Sequence, residues 1–163
     1  MPKRVFCFPL IINKNSKVLI LGSFPGITSR RKNEYYGHSR NSFWKLVFDL
    51  LEEGIPSDDY RKKIRILKKH RVGLWDVVAS CGIQGSSDSD IKEYTQNDID
   101  AILKKYKNIK AIFANGKKAY KILHETLRTK IHLNYLPSTS PAHTMPFKDK
   151  KDQWKKILKY IQI

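Results

Sequence analysis

The sequence has only two cysteines, Cys7 and Cys81, far apart and without a C-x-x-C pair. That excludes a disulfide framework, a zinc knuckle and a four-thiolate iron–sulfur site, and predicts both thiols as buried apolar filler. Long apolar runs are missing too. Lys or Arg interrupts each one well short of the roughly 20 residues a membrane span needs. The start, MPKRVFCFPLIINKNSK, has basic residues and a short apolar stretch but no small-residue cleavage site. It reads as the N-terminal edge of the domain, not as a signal peptide. The five histidines, His38, His70, His124, His132 and His143, form no H-x-x-x-H or H-E-x-x-H pattern, so no metal donor set is legible. No G-x-G-x-x-G and no Gly-Lys-Ser/Thr phosphate loop occurs. Ser23, His38 and Asp76 can be assembled into a triad on paper, but the G-x-S-x-G elbow is absent.

Acidic residues are scarce as well. Lys and Arg number 32 against 15 acids, a net charge of +17. Such an excess attracts polyanions and makes their binding salt-dependent. An AT-rich genome also inflates Lys, Ile and Asn, so charge alone does not decide for nucleic acid.

With 163 residues, 40% of them hydrophobic, the chain suffices for one domain over 1–163 with a proper core. It shows no repeat, low-complexity tract or linker. Apolar runs predict strands over 17–22, 72–78, 109–116 and 131–137. Helical spacing and end signals predict helices over 41–54, 57–70, 97–107, 117–127 and 150–163. Four strands joined by helices predict a three-layer α/β/α domain with a central, mainly parallel four-stranded sheet. In such sheets ligands sit beyond the carboxyl ends of the strands. Four segments converge there: GSFPG, WDVVASCGIQGSSDSD, NGKKAY and LPSTSPAH.

Each motif also has a plainer reading. Gly22 and Gly26 bracket Pro25 in a stiff loop that permits close backbone approach, or merely turns the chain. EYYGHSRNSFW, residues 34–44, is too polar and aromatic for a simple helix lead-in. Aromatic faces stack on bases, Arg neutralises phosphate, and an Asn amide holds and orients water. Asn41 is also a natural helix cap, and Tyr36 a natural core residue. Hydroxyls between Pro137 and Pro141 suit phosphate or simply solvent.

Taken in order, GSFPG, YYGHSRNSFWK, GLWDVVASC, NGKKAY and LPSTSPA resemble the uracil-DNA glycosylase superfamily over roughly residues 17 to 162. They are most similar to its hypoxanthine (deoxyinosine) DNA glycosylase branch, sometimes called family 6. The resemblance implies a monofunctional enzyme of base excision repair. It would flip a deaminated base from DNA and hydrolyse its N-glycosidic bond without metal or cofactor. It also implies a monomer in the cytoplasm of a prokaryotic cell, held at the nucleoid by DNA.

Much of the superfamily carries a water-positioning Asp or Asn third in the first loop. Phe24 stands there in this chain. The resemblance assigns that role to Asn41 and base stacking to Tyr36. Asp76 falls where relatives carry a base-reading Asn, and Ser138 and Ser140 match the phosphate-gripping turn. His143 lies just past that turn, within reach of the DNA backbone or minor groove. Thr144, Met145 and Pro146 are candidate wedge residues for a kinked duplex. An Asp76 carboxylate accepts the N1–H of hypoxanthine, while a backbone amide near Ser23 or Phe24 donates to O6. Leu136 replaces the histidine of the best-known uracil enzymes, and Ser39 a proline of the relatives. Hypoxanthine is therefore the expected substrate. The alternatives are a mismatch-type uracil glycosylase and a non-catalytic module for damaged DNA, for which Phe24 speaks.

Overall fold

The computed structural model describes residues 4–83 and 91–162. In chain order it contains β1 (Arg4–Phe6), β2 (Val18–Gly22), α1 (Ile27–Lys32), α2 (Phe43–Leu50), α3 (Tyr60–Lys69), β3 (Val72–Asp76), β4 (Val78–Ile83) and β5 (Ile91–Gln96). Then follow α4 (Ile99–Lys105), β6 (Ala111–Asn115), α5 (Lys117–Thr126), β7 (His132–Leu136), α6 (Phe147–Trp154), a 3-10 turn (Lys155–Ile157) and α7 (Leu158–Ile161).

The four expected strands form a wholly parallel sheet in the order β3-β2-β6-β7. Successive side chains on a strand point to opposite faces. Val18, Ile20, Val72, Leu74 and Phe113 therefore join one core with Phe43 of α2, Leu67 of α3 and Trp154 of α6. Leu19, Leu21, Ile112 and Ala114 join the other core with Ile99 of α4 and Ile122 of α5. A sheet covered on both faces makes every residue of β2 and β6 buried, which is why both strands read as continuous apolar runs. Each fully buried Leu or Ile contributes about 1.5–3 kcal/mol. The three-layer α/β/α expectation stands.

The structure adds a second sheet, antiparallel, in the order β1-β4-β5. The strand expected over 72–78 splits at Val77, with β3 ending at Asp76 in the parallel sheet and β4 starting at Val78 in the antiparallel one. Residues 84–90 of the second converging segment lie outside the described residues.

Helix ends shift for local reasons. The helix expected from 57 starts at Tyr60, because the Asp59 side chain accepts from Arg61 N. The helix expected from 150 starts at Phe147, directly after Pro146, and tightens to a 3-10 turn before α7. Helix α1, in the basic stretch after the first loop, was not expected. Cys81 is buried as expected, but Cys7 is half-exposed and its Sγ accepts from Asn97 Nδ2 at 3.4 Å.

Candidate functional site

A cleft of about 580 Å³ opens at the carboxyl ends of the parallel strands. Ser23, Phe24, Tyr36, Asn41, Asp76, Ser138, Ser140 and His143, all named from the sequence, line it together. They come from four chain segments, so the sheet topology is what assembles them.

The floor is the register pair Gly22 and Asp76 at the ends of β2 and β3. Asp76 is buried. Its backbone carbonyl accepts from Asn97 Nδ2 at 2.7 Å. A Cβ on Gly22 would lie 2.7 Å from Asp76 Oδ1 and 2.9 Å from Tyr36 Oη. Only glycine leaves room for both polar groups. The first loop is clamped from the antiparallel sheet side, where Val77 N donates to Gly22 O at 2.8 Å and Val78 N to Ser23 O at 3.1 Å.

One wall is Tyr36. Its φ is 53°, in the left-handed region that costs a bulky residue about 1–3 kcal/mol. Ring stacking and a hydrogen bond hold it there. Its ring stacks on Phe43 with centroids 4.0 Å apart, and its hydroxyl accepts from Asn115 Nδ2 at 3.1 Å. The neighbouring Tyr35 anchors the loop beneath: its hydroxyl donates to Phe8 O and Pro9 O, and its carbonyl accepts from Trp44 Nε1 at 2.8 Å. Burial pushes the Tyr35 phenol far above its ordinary value, so it stays a neutral donor.

Asn41 stands just before α2. The helix expected from this residue begins at Phe43, and Asn41 Oδ1 accepts from Phe43 N at 3.0 Å. This fixes the amide plane and leaves Nδ2 for a ligand or water. His38 Nδ1 accepts from Arg40 N at 3.0 Å, so the neutral ring carries its proton on Nε2.

Asn115, at the end of β6, was not singled out from the sequence. It is buried, donates to both Tyr36 Oη and Thr139 Oγ1, and accepts from Thr139 N at 3.1 Å. An Asn before Gly reads as an ordinary turn residue. The available signal was its place as the polar end of an otherwise apolar buried strand.

The opposite wall is the turn over residues 137–143. Ser138 Oγ accepts from Ser140 N, and Ser140 Oγ from Ala142 N. Each hydroxyl that accepts a backbone N–H keeps its own proton for an outside acceptor. Ser42 N donates to Thr139 O at 3.0 Å and ties this turn to the Asn41 loop. Lys117 and Lys118 border the cleft at the amino end of α5 and add positive charge to the helix dipole. Gly116, φ 100°, lets β6 turn into that helix against Ser138. Among the described residues no group of three or more His, Cys, Asp or Glu is placed to hold a metal ion. Among them, too, no helix is long and apolar enough to cross a membrane.

Fold and site together define an α/β protein whose polar, aromatic-walled cleft sits at the strand ends of a parallel sheet. More particularly, the chain belongs to the uracil DNA glycosylase superfamily, which it matches over residues 9–162. It is 35% identical over 156 residues to a hypoxanthine DNA glycosylase of Methanosarcina barkeri, an alignment spanning 93% of this chain and 96% of that one. A hypoxanthine DNA glycosylase of Methanosarcina acetivorans is 35% identical over 157 residues, 94% and 97% of the two chains. A solution NMR structure from Methanosarcina acetivorans, described provisionally as a uracil DNA glycosylase, superposes with a TM-score of 0.85 at 32% identity. It covers 99% of this chain and 100% of its own.

Proposed function

We propose that this protein is a monomeric, monofunctional DNA glycosylase that excises hypoxanthine from DNA. One observation carries the reading: Asn41, Tyr36 and Asp76 line a single cleft whose other wall is the serine turn. The likeness to two hypoxanthine DNA glycosylases over nearly the whole chain supports the substrate.

In this reading the flipped base stacks on Tyr36, whose ring is already fixed by Phe43. The Asp76 carboxylate accepts the base N1–H, and a backbone amide at Ser23 or Phe24 donates to O6. Adenine, with an unprotonated N1, meets repulsion at Asp76. As the C1′–N9 bond breaks, its electron pair leaves with the base and positive charge grows on the sugar. Donors around the base stabilise the first change, and the DNA phosphates the second. Water held by the Asn41 amide then adds to C1′ and its proton passes to the departing base anion, giving the abasic sugar and neutral hypoxanthine. The Phe24 side chain offers no polar atom for this water. Asn41 holds it instead, because its oxygen is locked on Phe43 N and its Nδ2 remains. The Ser138 and Ser140 hydroxyls donate to phosphates flanking the flipped nucleotide, with His143 beside them.

The test is single-turnover excision on labelled duplexes carrying one hypoxanthine or one uracil, with alkali to reveal abasic sites. Wild type should release hypoxanthine. Asn41→Ala should lose about 100-fold or more in rate while still binding DNA. Binding without cleavage of either duplex would sink the hydrolase reading and leave a binding module. Uracil release alone would overturn the substrate.

A further inference from the structure

Lys150 is 5% exposed, on the inward face of α6. Among the described residues its Nζ makes one hydrogen bond, to Ser140 O at 3.3 Å. Among the described residues Lys150 forms no ion pair with a carboxylate. Burial alone pushes its pKa below the ordinary lysine value. Burying an ammonium with neither counter-charge nor full hydrogen bonding is costly, and an apolar side chain there would pack without that cost.

The charge sits behind one particular loop. Trp154, one helical turn after Lys150 on the same buried face, donates to Pro137 O at 2.9 Å. Lys150 and His143 N both donate to Ser140 O. Helix α6 thus holds the serine turn at both ends, through an indole at Pro137 and an ammonium at Ser140. One polar atom at this turn is unsatisfied: His143 Nε2 is buried and has no hydrogen-bond partner among the described residues.

We propose that Lys150 is the positioning residue of the serine turn, and that its ammonium is the buried counter-charge to the DNA phosphodiester that docks on Ser138 and Ser140. The phosphate, rather than a protein carboxylate, is what offsets the charge. Lys150 acts through the Ser140 carbonyl and its field, since it does not itself line the cleft. The proposal rests on the DNA-binding reading above and adds a residue to it.

The experiment compares wild type, Lys150→Met and Lys150→Arg by fluorescence anisotropy on a hypoxanthine duplex from low to moderate salt, with melting temperatures measured without DNA. A neutral Met should melt no lower than wild type, yet bind DNA about tenfold more weakly. Its log Kd against log salt slope should fall by about one, because one positive charge that offsets a docked phosphate is lost without any direct contact being removed. Lys150→Arg should restore the slope. A purely structural lysine would lower melting temperature and leave the slope unchanged. An unchanged slope in Lys150→Met, or no recovery in Lys150→Arg, overturns the assignment while wild-type binding preserves the DNA reading. Wild type that fails to bind the duplex overturns both. Should the Met variant not fold, Lys150→Gln is the neutral variant judged by the same slope.

Discussion

The two sheets of this molecule bury their residues on different terms. In the parallel sheet β2 and β6 are buried from end to end, and the buried polar residues of β3 and β6 stand at their strand ends, as Asp76 and Asn115. In the antiparallel sheet one face is wet. Arg4 reaches Ser80 Oγ and Glu93 O, Phe6 is 68% exposed, and the β4–β5 register slips twice. A polar group costs little on the wet sheet and about 1–3 kcal/mol in the dry one unless hydrogen-bonded. Where the dry sheet keeps such groups, they point to function. Where the wet sheet keeps them, exposed partners satisfy them, as Arg4 and Thr95 do for Ser80.

Gly22→Ala should break this contrast most severely. The added methyl meets Asp76 Oδ1 and Tyr36 Oη at under 3 Å, and Tyr36 cannot retreat because Phe43 stacks behind it. Overpacking of this kind costs about 1–3 kcal/mol. A shift of about 1 Å in base-holding groups lowers the chemical rate by about 100-fold. Both melting temperature and single-turnover hypoxanthine excision should fall. Unchanged excision would mean that the Gly22–Asp76 floor does not touch the base.

Asn115→Leu comes next. It strips Thr139 N of its acceptor and Tyr36 Oη of its donor, in a buried setting. One unsatisfied buried group costs about 1–3 kcal/mol. Loosening Tyr36 should slow excision by about tenfold, since 1.36 kcal/mol is a factor of ten in rate. Excision at the wild-type rate, with only melting temperature reduced, would reduce Asn115 to a structural strut.

The contrast between the sheets also explains what was legible in the sequence. Strands buried on both faces announce themselves as apolar runs, as β2, β3 and β6 do, and with the partly buried β7 a mainly parallel sheet in three layers could be read. The segments that line the cleft stood out as glycine, aromatic and hydroxyl clusters at strand ends, and the family resemblance picked eight individual residues within them. The β1-β4-β5 sheet could not be read. KEYTQ in β5 has no apolar alternation, and β4 follows β3 after one residue, so the two read as one strand. Helix α1 carries ITSRRK, with no apolar face to show a helical period. Asn115 and Lys150 were missed because their meaning is tertiary. One is a polar residue between two loops, the other a lysine that sequence alone places on the surface.

Ser80→Ala in the antiparallel sheet is the smallest effect and the sharpest control. Ser80 is buried, accepts from Arg4 Nη2 at 3.1 Å and lies 2.7 Å from Thr95 Oγ1. Its partners, Arg4 and Thr95, are both exposed and can turn to water when the hydroxyl is lost. The cost should stay below about 1 kcal/mol, or about 2–4 °C in melting temperature for a chain of this size. Excision should stay within about twofold of wild type, the span of a neutral surface change. The control is demanding because β4 is also the strand whose first residue, Val78, clamps Ser23 O. A rate loss above about tenfold would show that strain in the wet sheet reaches the first loop, and that the antiparallel sheet positions the site instead of merely flanking it.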